Sequence, residues 1–330
     1  MGKFWRNTAN AAIGLIFACY LQASLASAVW FADDENIQRI NPVTNQISLR
    51  LRASDIRSLA AAPDGSVWAL QRKRLKHYGP SGEVLVDLDL KFLNVNGAGL
   101  TALDPRDNSL WIVEGGDVDE DGQHEEHAGR FKRAIRINSF GRLVQDIAIP
   151  SHIRAIVVGL DQSLWLLGKT MLWNYARTGE QLSAIDLKAV AKEKVRLFAT
   201  DAIGAWLWLA AEKRLLRVDG DRLTEKFLKV DLPNKIEAIG IDPAQGTLWV
   251  VTEKTLHLLL DDGSVSKAID LKSMGIRTPK ILVPDSANGT FWLGHDDEIS
   301  RFNMDGTRVA TIAVKGDIEQ LSAPPLILQP

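Results

Sequence analysis

Asp117, Asp119, Asp121 and Gly122 form a D-x-D-x-D-G run within Asp117-Val-Asp-Glu-Asp-Gly-Gln-His-Glu125. Calcium takes about six to eight oxygen ligands. Carboxylates at alternate positions of a tight loop supply three of them, the carbonyl of Gln123 a fourth and Glu125 a fifth, while Gly122 permits the sharp turn. A helical EF-hand is excluded, because its twelfth loop position needs an acid and here holds Ala128. The competing reading is a solvated acidic loop. Ligand count and spacing favour calcium, with stabilisation of a long loop as its role. The neighbouring His124 and His127 stand in His-Glu-Glu-His, one residue short of the helical H-E-x-x-H zinc motif, so an exposed charged loop is the better reading of that pair.

Few other residues point to a reaction. Gly97-Ala-Gly99-Leu-Thr-Ala102 matches the dinucleotide fingerprint G-x-G-x-x-A, but no helical pattern follows it, and it reads as a connection between strands. No phosphate-binding G-x-x-x-x-G-K and no G-x-S-x-G nucleophile turn is present. The single cysteine, Cys19, excludes a disulfide scaffold and any multi-cysteine zinc or iron–sulfur centre.

The elements that must carry these residues are repeats. Seven segments share one phrase: Val29-Trp30-Phe-Ala, Val67-Trp68-Ala-Leu, Leu110-Trp111-Ile-Val, Leu164-Trp165-Leu-Leu, Leu207-Trp208-Leu-Ala, Leu248-Trp249-Val-Val and Phe291-Trp292-Leu-Gly. The tryptophans are 38, 43, 54, 43, 41 and 43 residues apart. An apolar strand precedes most of them, as in Ile236-Glu-Ala-Ile-Gly-Ile-Asp-Pro243. A third strand follows, then a glycine turn at Gly82, Gly141, Gly179, Gly220, Gly263 or Gly306, then a fourth strand such as Lys267-Ala-Ile-Asp-Leu271. Four short strands with turns need roughly 40 residues, the length of one propeller blade. A blade cannot bury both faces alone, and stacking around a ring does so while leaving only short edges. The chain is thus expected to be an all-β, seven-bladed propeller of four-stranded antiparallel blades, with the repeated Trp packing blade against blade. Val29 starts a second strand with no first strand before it. Asp317-Ile-Glu-Gln-Leu-Ser-Ala-Pro324 matches the first-strand phrase, so the C-terminal strand is expected to close the ring on the N-terminal blade.

The Trp strand, the D/P-x-G turn before it and the late glycine turn resemble NHL-repeat and virginiamycin B lyase-like seven-bladed propellers, from Val29 to about Pro324. The Gly-His and Trp-Asp marks of WD40 repeats and the Gly-Gly pair of kelch repeats are absent. The acidic run is similar to the calcium loops on integrin-type propeller blades, with Glu125 where that pattern has Asp. The lyase resemblance implies a magnesium site with Glu-x-His and a further His. None of His77, His124, His127, His152, His257 and His295 stands in a Glu-x-His, so no lyase residue carries over. It also implies a rival function, a metal-dependent lyase or lactonase-like hydrolase with its site in the central funnel, where Asn94, Asn96 and Glu237 could contribute. Similar propellers occur near the N-terminus of large bacterial surface proteins with YD repeats. A third reading is therefore a module of such a protein, with Ala323-Pro-Pro-Leu-Ile-Leu-Gln-Pro330 opening a linker.

The first 28 residues read as a leader. Lys3 and Arg6 precede the apolar run Ala11–Leu21, too short for the about 20 residues that span a bilayer, and Ala26-Ser-Ala28 fits a cleavage site. Cleavage after Ala28 predicts export to the periplasm or cell surface, with a propeller over 29–324 and a tail over 325–330. Removing Lys3 and Arg6 takes 39 basic against 41 acidic residues to 37 against 41, from a net charge of −2 to −4. No global positive field attracts nucleic acid, and no later stretch is apolar enough to cross a membrane. The chain of 330 residues, 46% hydrophobic and 24% charged, has a globular composition able to bury a large core.

A second site candidate lies where first strands begin. Arg57, Arg154, Arg196, Glu237, Lys280 and Glu319 each occupy the second position of a first-strand phrase. First strands line a propeller's axis, so these residues are expected to ring the channel mouth with His152 nearby, pairing with one another or drawing an anion. The turns between second and third strands are charged by sector: Asp33-Asp-Glu35 and Asp296-Asp-Glu298 on adjoining blades, Arg72-Lys-Arg74 on the next. Separated charge sectors suit recognition of a protein, peptide or envelope ligand by a monomer. The sequence therefore favours a non-catalytic recognition module.

Overall fold

Seven four-stranded antiparallel sheets make up the computed structural model, which describes residues 28–325 apart from 96, 115–131, 151, 160, 192–193, 201–205, 220–227, 243–245 and 261. Blade 1 combines Gln320–Ser322 with Val29–Ala32, Asn36–Asn41 and Gln46–Arg52. Blade 2 runs Ile56–Ala61, Val67–Gln71, Arg74–Tyr78, Val84–Asp89, and blade 3 Ala98–Leu103, Leu110–Glu114, Lys132–Ile137, Leu143–Ile149. Blade 4 comprises Ala155–Val158, Leu164–Leu167, Met171–Tyr175 and Gln181–Asp186. Blade 5 comprises Val195–Thr200, Trp206–Ala211, Arg214–Asp219 and Leu228–Asp231. Blade 6 comprises Ile236–Asp242, Thr247–Thr252, Thr255–Leu259 and Val265–Asp270, and blade 7 Pro279–Asp285, Thr290–His295, Glu298–Asn303 and Arg308–Ala313. The first strands neighbour one another in this order all the way round, blade 7 meeting blade 1 and blade 1 meeting blade 2. The chain is a seven-bladed β-propeller. Among the described residues no helix is long and apolar enough to cross a membrane.

The repeated tryptophan explains the stacking. Each of the seven sits in an apolar cluster shared with the following blade: Trp30 with Val67 and Tyr78, Trp68 with Leu110 and Ile135, Trp111 with Leu164, and Trp165 with Leu207 and Leu216. Trp208 packs with Leu248 and Leu259, Trp249 with Phe291 and Phe302, and Trp292 with Val29 and Ile40 of blade 1. All seven are buried. A side chain of this size fills the wedge between two twisted sheets and removes both facing surfaces from water.

Polar residues add a second latch. The residues opposite six of the tryptophans on the third strands are Arg39, His77, Arg136, Asn174, Arg217 and Arg301. The guanidinium carbons of Arg136, Arg217 and Arg301 lie 6.0, 5.7 and 5.1 Å from the ring centroids of Trp111, Trp208 and Trp292. Some of these cations reach the next blade. Arg39 Nη1 donates to the carbonyl of Pro80 at 3.0 Å. Arg301 Nη1 donates to the carbonyl of Pro42 in blade 1, and to Asn45 Oδ1 at 3.0 Å. The seam between blade 7 and blade 1 therefore carries a Trp-centred apolar cluster like the others and an arginine crossing like that from blade 1 to blade 2. Closure follows the expected route, with Trp30, Phe31 and Ala32 paired to Ser322, Leu321 and Gln320.

Candidate functional site at the mouth of the central channel

The first strands share an irregularity that the sequence did not announce. In blade 2, Ile56 and Ser58 face consecutive partners, Gln71 and Leu70, so Arg57 is an extra residue. The same skip leaves Gly99, Arg196, Glu237 and Lys280 as extra residues in blades 3, 5, 6 and 7. In blade 4 the Arg154 amide donates to the Leu167 carbonyl at 2.7 Å while Ala155 also faces Leu167. In blade 1 the Glu319 amide donates to the Ala32 carbonyl at 3.0 Å while Gln320 faces Ala32. A two-against-one arrangement of this kind is a β-bulge, which bends the strand and re-aims the extra side chain. All six residues named at second positions, Arg57, Arg154, Arg196, Glu237, Lys280 and Glu319, are bulge residues, and Gly99 completes the ring. The strands of blades 4 and 1 begin two residues later than the phrase suggested, at Ala155 and Gln320, because the bulge ends the regular ladder.

Among the described residues, two of these side chains pair with the residue two positions earlier, and Arg196 Nη1 lies 3.6 Å from Glu212 of its own blade. Lys235 Nζ lies 2.8 Å from Glu237 Oε1, and Arg57 Nε 3.6 Å from Asp55 Oδ1. Blades 2 and 6 thus neutralise their bulge charge. Blades 1 and 5 do the opposite. Asp317 precedes Glu319, and Lys194 precedes Arg196. Burial first, and then the charges of Asp34, Asp55, Asp33 and Asp317, push the Glu319 carboxyl above its usual range. The charge of Arg154 first, then burial, then Arg196 and Lys169, depress the Lys194 ammonium, with Glu212 opposing them. Burial and then Arg196 depress Arg154. In a ring of seven, blade 1 stands across from blades 4 and 5. The mouth therefore has an acidic sector on one side and a basic sector facing it.

The turns between second and third strands open on the same end of the blades as these bulges. Asp33 is occupied in building its own turn, accepting from the Glu35 and Asn36 amides and from Gln38 Nε2. Asp296 accepts from Thr278 Oγ1 and lies 3.7 Å from His295 Nδ1. The 54-residue gap between Trp111 and Trp165 falls where expected, between Glu114 and Lys132 on this end of blade 3. The calcium candidates Asp117, Asp119, Asp121, Gln123 and Glu125, with His124 and His127, lie outside the described residues. His152 joins blade 3 to blade 4 at the same end, exposed and with a left-handed φ of 64°. Asn94 caps a short 3-10 turn and its carbonyl accepts from Arg133 Nη1 at 2.9 Å; Asn96 lies outside the described residues. Among the described residues no three His, Cys, Asp or Glu gather to hold a metal.

Sequence reasoning named the six second-position residues but missed their bulged register and the residues around them, Asp55, Lys194, Lys235 and Asp317 at the position two before the bulge, and Lys169 in the second turn of blade 4. Aligning the repeats at the second-position charge and reading two residues back would have exposed the first four. Lys169 carries no such signal, because only the fold brings that turn beside the next blade's entry.

No family model matches the chain, and no curated protein matches its sequence. Solved structures do match. Apo AztD from Citrobacter koseri is similar over 90% of this chain and 98% of its own, with a TM-score of 0.64 and 14% identity. A functionally unknown protein from Desulfotomaculum acetoxidans is similar over 90% and 99%, with a TM-score of 0.66 and 13% identity. A protein of unknown function from Bacteroides caccae is similar over 90% and 98%, with a TM-score of 0.52 and 12% identity. What these proteins share with this chain is the propeller fold.

Proposed function

We propose that the chain is an exported, non-catalytic recognition propeller that holds a protein, peptide or envelope ligand over the mouth of its channel. The observation that carries the reading is the ring of seven bulges, six of them charged, in which Glu319 with Asp317 on blade 1 faces Arg154, Lys194 and Arg196 on blades 4 and 5. A bulge costs ladder hydrogen bonds, and a recurrent one at the same level of every blade positions side chains for contact. Unbalanced like charges oppose stability, so their placement on one face favours a complementary partner as the reason for them. Within this reading the 117–125 loop holds calcium and braces the insert on the same face. The leader places the protein in the periplasm or at the cell surface, within the NHL-like branch of propellers.

Site-specific photocrosslinking in the native cells tests this. A photoreactive residue replacing Lys280 at the mouth captures the ligand, and one replacing Val309 on the exposed outer strand of blade 7 does not. Capture from position 309 with none from position 280 would contradict the reading.

A further inference from the structure

The basic sector has a feature that the acidic one lacks. Among the described residues, Arg154 is half-buried, its Nη1 atom is buried with no hydrogen-bond partner, and the charge acting on it, that of Arg196, repels it. Buried polar groups in native proteins are nearly always satisfied, so a buried guanidinium nitrogen with nothing to donate to indicates a missing acceptor. Among the described residues the surroundings are mostly basic. Arg196 follows Lys194 by two residues at the entry of blade 5, and Lys169 projects from the second turn of blade 4. Among the described residues the carboxylate that pairs here is Glu212, 3.6 Å from Arg196 Nη1, with both side chains about half exposed, a pair worth little. Among the described residues, Arg154, Lys169, Lys194 and Arg196 therefore share one weak counter-charge. The chain as a whole is slightly acidic, with a net charge of −2, so this concentration is local and works against the global field.

We propose that Arg154, Lys169, Lys194 and Arg196 form an anion site at the blade 4–blade 5 sector of the mouth, taking a carboxylate or phosphate group of the bound ligand. Arg154 and Arg196 present planar donor forks suited to such oxygens, and the two lysines supply mobile point charges around them. The acidic sector at Glu319 and Asp317 across the ring repels the same group and so fixes the ligand's orientation. Next to the basic sector, blade 3 contributes the uncharged Gly99 and blade 6 the Lys235–Glu237 pair. The inference rests on the mouth being the ligand face and adds the chemistry of what binds there.

Thermal unfolding of the chain from Val29 onward is measured against inorganic phosphate and, separately, acetate, each against chloride at equal ionic strength. Saturable stabilisation beyond chloride by either anion is expected. Response to phosphate alone identifies a phosphate-bearing group, and response to both a carboxylate-tolerant site. Arg154→Gln and Lys194→Gln should weaken the apparent affinity about tenfold or more, the scale of one charge-assisted hydrogen bond. Lys73→Gln, a cation on blade 2, should leave it unchanged. Without anion, Arg154→Gln should melt at or above the wild-type temperature, because it removes an unsatisfied buried donor and a like charge. This keeps loss of binding distinct from loss of folding. Stabilisation no greater than that by chloride, or an anion response retained in both Gln variants, overturns the anion site. If either occurs while position 280 still captures its ligand, the mouth reading stands and only its chemistry falls.

Discussion

His77, His257 and His295 are 3%, 5% and 2% exposed, and burial is the largest influence on each, pressing all three below the ordinary 6.5. Two have partners: His77 Nε2 meets Ser66 Oγ at 2.7 Å and the ring stacks on Trp68, and His295 Nε2 meets Ser300 Oγ at 2.9 Å. Both ring nitrogens of His257 are buried without a partner among the described residues. A histidine with a lowered folded pKa contributes stability in full above 6.5 and loses it as pH falls below 6.5 towards the folded value. Asp104, Asp285 and Glu319 are raised by burial and act with the opposite sign. Urea denaturation should therefore show stability falling from pH 7 to 5.5. His257→Leu should flatten that slope and raise stability at pH 7 by about 1–3 kcal/mol, the cost of an unsatisfied buried polar group. Stability that rises on acidification over this interval would contradict the assignment. These histidines were visible in the sequence only as failures to match a lyase motif. Their burial follows from facing inward on second and third strands beside the Trp position.

Turns and bulges divide what a repeat shows from what it hides. The late glycines are legible because the turn between third and fourth strands needs a left-handed residue, and the structure adds a second reason. Gly306 has φ of +82°, and a Cβ there would lie 2.1 Å from Ile269 Cδ1 on the preceding blade. Gly306→Ala should cost about 1–3 kcal/mol through strain and overpacking, read as a lower denaturation midpoint. An unchanged midpoint would show that the blade 6–blade 7 seam has slack. The bulges were not legible, because a polar residue between two apolar ones also fits plain alternation. Only the ladder register separates an extra residue from an outward-facing one. The insert of blade 3 was placed correctly by the Trp111–Trp165 gap. Its calcium reading belongs to the proposed function and carries its own test. At 100 times the dissociation constant, calcium should add about 2.7 kcal/mol to the stability of the chain from Val29 onward. Magnesium should not reproduce the shift, and Asp119→Ala should abolish it. A shift surviving Asp119→Ala would remove Asp117–Glu125 as the source.

Closure ties the molecule together. Seven Trp-centred clusters pass apolar contact from each blade to the next, and the seam of the ring rests on three paired residues, with Ile318 and Leu321 buried beneath them. Ser322 Oγ also accepts from the Ala61 amide, so the strand that closes blade 1 is bonded to blade 2 as well. Truncation before Asp317 should expose the Val29–Ala32 edge and the apolar face of blade 7, lowering the melting temperature and promoting aggregation. A truncated chain melting like the full one would refute the clasp. The ring was legible because its driving residue is large, apolar and periodic. The polarity of the mouth was not, because it depends on which blades face each other and on turns brought beside strand entries. The central claim, a ligand held over the bulge ring, is tested most directly by hydrogen exchange of the chain with and without its captured ligand. The account predicts protection concentrated where the first strands begin, at residues 152–158, 194–199, 278–282 and 317–321. Protection confined to outer strands such as Arg308–Ala313, with those segments unchanged, would contradict it.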